Sequence, residues 1–87
     1  MSDFLHTRVF LDQGEIAVLD CDTQCNFILL DDHNFQIYKN RGQFTYYGQY
    51  FTYFPARIAA PFSGYWNTVI YTDGPATIKH SLTFITR

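Results

Sequence analysis

The sequence predicts a single all-β domain: an antiparallel, jelly-roll-like β-sandwich of seven or eight short strands, with one short helical turn near residues 33–39. Three observations carry this prediction. Apolar residues recur with a period of about two rather than the helical 3.6 along most of the chain. Turn formers punctuate the alternation at Gln13-Gly14, Pro61-Phe62-Ser63-Gly64 and Asp73-Gly74-Pro75. The chain has 87 residues, of which 20% are aromatic, so one core is all it can build and large side chains must fill it.

The elements follow in order. In residues 5–11 the odd positions Leu5, Val9 and Leu11 are apolar, whereas His6 and Arg8 lie on the other side, as in a half-buried strand. Gln13-Gly14 turns the chain into a second strand, residues 15–21. The continuous apolar run 26–30 reads as a central strand. Residues 31–42 break the alternation: Asp31, Asp32 and Asn34 are cap formers, and Phe35 and Tyr38 stand three apart, so one helical turn sets both on the core. Asn40 or Gly42 supplies a left-handed residue to end it.

Residues 44–54 predict an aromatic hairpin. Gly48-Gln49 fits a two-residue type II′ turn, which pairs Tyr47 with Tyr50, Tyr46 with Phe51 and Phe44 with Tyr53. Alternation then places Phe44, Tyr46, Phe51 and Tyr53 on the core face and leaves Tyr47 and Tyr50 as an opposed pair on the mixed face. Pro55 stops the hairpin, and residues 57–60 form a short strand. Residues 65–72 are a strong strand with Trp66 and Ile70 on one face and Tyr65, Val69 and Tyr71 on the other. A final strand at 76–86 sets Ile78, His80, Leu82 and Phe84 against Thr77, Lys79, Ser81 and Thr83, making His80 a hydrogen-bonded core histidine.

Charge excludes some functions. The formal net charge is −2 and no basic block exists, so the footprint of a duplex nucleic-acid binder is missing. Met1-Ser2-Asp3-Phe4-Leu5-His6 lacks the pattern of a secretion signal, and no apolar run spans a bilayer, so the expected location is the cytoplasm, with no membrane partner. Cys21 and Cys25 face each other if Asp22-Thr23-Gln24 is a three-residue turn, which makes a disulfide geometrically conceivable; without a secretion signal they are expected as free thiols, with the disulfide as the alternative. No second Cys/His pair has ligand spacing, so no metal and no cofactor are expected.

Several segments together resemble a known family: Cys21-Asp22-Thr23-Gln24-Cys25-Asn26 before an apolar run, Leu30-Asp31-Asp32-His33-Asn34-Phe35, Tyr46-Tyr47-Gly48, Phe54-Pro55-Ala56-Arg57-Ile58 and Pro61-Phe62-Ser63-Gly64-Tyr65-Trp66-Asn67. In order and spacing the chain resembles a bacterial family of small domains of unknown function that occur alone or fused beside TIR domains. The resemblance implies a β-sandwich and a sensing or scaffolding role in bacterial or phage defence. It brings no catalytic residues.

The expected function is therefore a non-enzymatic binding or sensing module for a protein partner or small ligand. The expected contact residues are Tyr47, Tyr50, Asp32, His33, Asn34 and Arg41. A cross-strand tyrosine pair also stabilises a sheet without any ligand. Residues 42–72 carry one charge, Arg57, and such a stretch is an aggregation hazard at an open edge. The alternative is thus an assembly protein forming a homo-oligomer through its uncharged aromatic strands. A small hydrolase using Asp31, Asp32 and His33 ranks third.

Overall fold

Alternation along the strands becomes two antiparallel sheets with their apolar faces together. A computed structural model describes residues 4–72 and 79–86. Its elements are β1 (Leu5–Leu11), β2 (Ile16–Cys21), β3 (Cys25–Asp31), α1 (Asp32–Lys39), β4 (Tyr47–Phe51), β5 (Ala56–Ala59), β6 (Gly64–Tyr71) and β7 (His80–Ile85). The larger sheet has the order β1-β6-β3-β4 and the smaller β5-β2-β7. This is the all-β sandwich the periodicity predicts.

The core has two layers. Between the sheets, Leu11, Cys25, Phe27, Leu29, Trp66 and Ile70 meet Ala17, Leu19, Ala56 and Ile58 of the smaller sheet. On the other face of the larger sheet, Ile28, Leu30 and Val69 are covered by Phe35 of α1, with Phe4, Tyr38 and Phe44 packed around them. β3 is apolar at nearly every position because it is central and buried on both faces.

The helix is set by its ends. Asp31 is the N-cap, its carboxylate accepting from the Asn34 backbone N–H at 2.7 Å and the Asn34 side chain at 2.9 Å. At the other end the Gly42 N–H donates to the Ile37 carbonyl (2.9 Å) and the Arg41 N–H to that of Tyr38 (3.1 Å), a Schellman closure. The left-handed residue is Arg41, at φ 62°, rather than Asn40 or Gly42.

The largest departure from expectation is at residues 44–54. They form no hairpin. β4 runs straight through Gly48-Gln49 and pairs antiparallel with β3, matching Leu29 with Tyr47, Ile28 with Gly48 and Asn26 with Tyr50. Gly48, expected as the first residue of a II′ turn, is a strand residue with φ +119°, where β4 lies close against β3. Of the predicted core face, Phe51 packs between the sheets and Phe44 beside α1. Tyr46 is 48% exposed and Tyr53 80% exposed.

The other turns join strands in different sheets. The β1–β2, β2–β3, β4–β5 and β5–β6 connections all cross from one sheet to the other. Alternation in the last strand holds for Leu82 and Phe84, which pack on the core, but His80 is exposed. It shares their face at the end where the core stops, so it is not a core histidine. The Asp73-Gly74-Pro75 turn and the predicted strand residues 76–78 lie outside the described residues.

Candidate functional site

The predicted contact residues do not converge on one surface. Tyr47 and Tyr50 are three apart in one strand, so they point to opposite faces of the larger sheet. Tyr47 turns toward the smaller sheet and meets Trp66 edge-on, ring centroids 5.8 Å apart. Tyr50 is on the helix-bearing face, and its hydroxyl donates to Gln24 Oε1 at 3.2 Å. The opposed tyrosine pair required the hairpin, and it is absent with the hairpin.

Two of the four predicted loop residues, Asp32 and Asn34, are engaged in holding α1. Asn34 binds the cap and accepts from the Thr45 N–H at 2.9 Å. Asp32 receives the Arg8 guanidinium in a bidentate pair, 3.0 Å from Nε and 2.7 Å from Nη2, and the Asn67 amide at 2.8 Å. Asn67, buried in β6, also meets His6 Nε2 at 2.8 Å. Arg8 lies 3.9 Å over the Tyr65 ring, and His6 stacks on Phe35. These contacts tie β1 and β6 to the start of α1. His33 and Arg41 are left exposed. Asn67 and Arg8 were missed because strand alternation marks only a side, and their partner Asp32 is remote in sequence.

The network has an electrostatic consequence. The Arg8 hydrogen bonds, then that from Asn67, hold the Asp32 carboxyl down at about 2, below an unfolded value of about 3.9. A depressed carboxyl contributes stability that is complete above the unfolded value and is lost as pH falls from about 4 to about 2. Asp32 is half exposed, so screening limits its share to about 1 kcal/mol or less. Urea midpoints measured from pH 6 to pH 2 are expected to fall less steeply below pH 4 in Asp32→Asn than in the natural chain. Parallel curves would show that the pair contributes nothing.

Two other features stand apart from this brace. One is the outer edge of β4. Among the described residues, β4 pairs only with β3, and residues 42–56 carry no charge. Tyr46, Tyr47, Tyr50 and Tyr53 are all exposed on or beside it. The other is an open cleft of about 460 Å³ lined by Asp20, Cys21, Asp22, Lys79, His80 and Ser81. Cys21 is directly opposite His80 in the β2–β7 ladder. Two of its lining residues are joined by the Asp22 N–H to the Lys79 carbonyl (3.1 Å) and by the Lys79 N–H to Asp22 Oδ1 (3.2 Å). No group of three or more His, Cys, Asp or Glu among the described residues is placed to hold a metal.

A family model matches the chain across residues 2–87. The chain belongs to the family Domain of unknown function (DUF1883). No curated protein and no solved structure matches it. No helix among its described residues is long and apolar enough to cross a membrane.

Proposed function

We propose that the domain is a non-enzymatic binding module that recognises a protein partner by accepting one of its strands along the outer edge of β4. The observation that carries this reading is the uncharged edge itself. Natural sheets protect edges with charges, Pro or cover. The β1 edge carries Arg8, β5 carries Arg57, and β7 follows Lys79, whereas β4 and its flanks carry none. Strand addition obtains affinity from main-chain hydrogen bonds and specificity from side chains beside the edge. Tyrosine suits that second task because it offers large contact area and a hydroxyl at little entropic cost.

The resemblance to modules fused beside TIR domains makes a TIR-type effector the partner to test first, in a cytoplasmic defence pathway of a bacterium or phage. A TIR domain encoded beside this chain is expected to bind the natural protein and to protect β4 backbone amides from hydrogen exchange. The double variant Gln49→Lys, Tyr50→Lys, folded by circular dichroism, is expected to lose at least about tenfold in affinity, the effect of about 1.4 kcal/mol. Undiminished binding, or protection confined to another strand, rejects the edge as the contact.

The same observation favours one second reading. Two copies pairing through β4 would place no like charges opposite each other, so the edge also suits a homo-oligomer. Light scattering separates the readings: a monomer at all concentrations eliminates self-assembly, and a dimer dissociated by the lysine variant establishes it.

A further inference from the structure

The β2–β3 connection brings two thiols together where the sheets separate. Cys21 is the last residue of β2 in the smaller sheet, and Cys25 the first of β3 in the larger. Both are free, and across the Asp22-Thr23-Gln24 crossover Cys21 packs against the buried cluster that contains Cys25. Their surroundings differ. Cys21 is half-buried and lines the open cleft beside Lys79 and opposite His80, where a small oxidant has access. Cys25 is fully buried in the inter-sheet core.

We propose that Cys21 and Cys25 form a reversible peroxide-sensitive redox pair, in which Cys21 is oxidised first in the cleft and Cys25 resolves it to a disulfide linking the two sheets. In the first step the Cys21 sulfur, as thiolate, attacks one oxygen of hydrogen peroxide. The O–O bond breaks, hydroxide leaves and takes up a proton as water, and Cys21 becomes a sulfenic acid. In the second, the Cys25 sulfur attacks the Cys21 sulfur, the S–O bond breaks, and hydroxide departs with the Cys25 proton as a second water. Two thiols and one peroxide thus give one disulfide and two waters. A dithiol reductant returns both thiols and is itself oxidised to a disulfide.

The division of labour follows from access: Cys21 lines the cleft and Cys25 is buried. Burial, reinforced by the adjacent Cys21, pushes the Cys25 thiol up to about 12, so it stays protonated and shielded until Cys21 has been activated. Disulfides in reducing compartments are characteristically transient and redox-sensing. The inference is independent of the strand-addition reading, because its readout is the chemical state of two sulfurs.

The test uses the full reduced chain and graded hydrogen peroxide. Trypsin leaves both cysteines in one peptide, since no Lys or Arg lies between Arg8 and Lys39. In the natural chain that peptide is expected to lose two hydrogens, to resist alkylation, and to recover both thiols with dithiothreitol. In Cys25→Ser, dimedone is expected to label Cys21; in Cys21→Ser, Cys25 is expected to remain unmodified at the same dose. Cys25→Ala serves if the serine disturbs the core, with folding checked by circular dichroism. Disulfides formed only between chains, no oxidation of either thiol, or oxidation of Cys25 at an undiminished rate without Cys21 would each overturn the proposal.

Discussion

Gly48→Ala is expected to destabilise the domain by about 3 kcal/mol or more, because it adds a clash to a backbone conformation that L side chains avoid. Gly48 has φ +119°, and a Cβ there would sit 2.3 Å from the Phe27 carbonyl oxygen, 2.9 Å from Ile58 Cδ1 and 3.0 Å from Ile28 Cα. The first and third are β3 backbone, which cannot move aside without breaking the centre of the larger sheet. The Ile58 methyl could rotate away, but that would not relieve the carbonyl contact. β4 must therefore lift from β3, and the ladder from Leu29–Tyr47 to Cys25–Phe51 is lost with it.

Two measurements separate global loss from local detachment. Urea unfolding followed by the fluorescence of the single tryptophan reports the whole domain. Hydrogen exchange reports β4 alone, which can open as a unit while β1, β6 and β3 stay paired. Gly64→Ala is the control: it opens β6 in the same sheet, yet a Cβ there meets nothing within 4 Å. It should change stability by no more than about 0.5 kcal/mol. A Gly48→Ala chain as stable as this control, with β4 amides still protected, would contradict the close strand approach. If β4 detaches while the rest stays folded, partner binding should vanish too, which connects this position to the proposed function.

The behaviour of Gly48 also shows where sequence stops specifying structure. A glycine in an aromatic, alternating run satisfies two local patterns equally: the first position of a II′ turn, or a strand residue approached closely by a neighbour. Distinguishing them requires knowing that Ile28, twenty residues earlier, is its partner. The same limit governs Gln13-Gly14 and Asp22-Thr23-Gln24. Each was legible as a turn, but not as a passage between sheets. By contrast, local chemistry was legible: the cap is one of the three formers Asp31, Asp32 and Asn34, namely Asp31; Phe35 and Tyr38 both pack on the core; and Trp66 and Ile70 share one face of β6. His80 lies between these cases. Its parity was right, and its exposure depends on where the opposing sheet ends, which no spacing within β7 encodes.

The candidate site follows the same division. Tyr47 and Tyr50 were legible as surface aromatics in a charge-free segment, and both are exposed. Their joint presentation was inferred from the hairpin and failed with it. The cleft could not be foreseen, since Cys21 meets His80 only through the β2–β7 pairing, across most of the chain's length.

Trp66→Ala is expected to cost about 3–5 kcal/mol, the range for emptying a buried aromatic site. Trp66 is the largest fully buried side chain, at 0% exposure, placed between Val9 of β1 and Asp31 of β3 in the ladder. Its ring lies against Phe62, centroids 4.7 Å apart, and its indole Nε1–H donates to the Phe62 carbonyl at 3.1 Å. Removal therefore empties a fully buried site in the inter-sheet core and releases the turn before β6. Trp66→Phe tests the two contributions separately: it retains most of the apolar contact and loses the indole hydrogen bond, a net contribution of about 1 kcal/mol. Urea unfolding by far-ultraviolet circular dichroism reads both variants, since their tryptophan signal is gone. Tyr47 rests edge-on against the same ring, so Trp66→Phe should leave the β4 edge able to bind while Trp66→Ala loosens its support. A Trp66→Ala cost below about 1 kcal/mol would mean that this tryptophan is a surface anchor rather than part of the core.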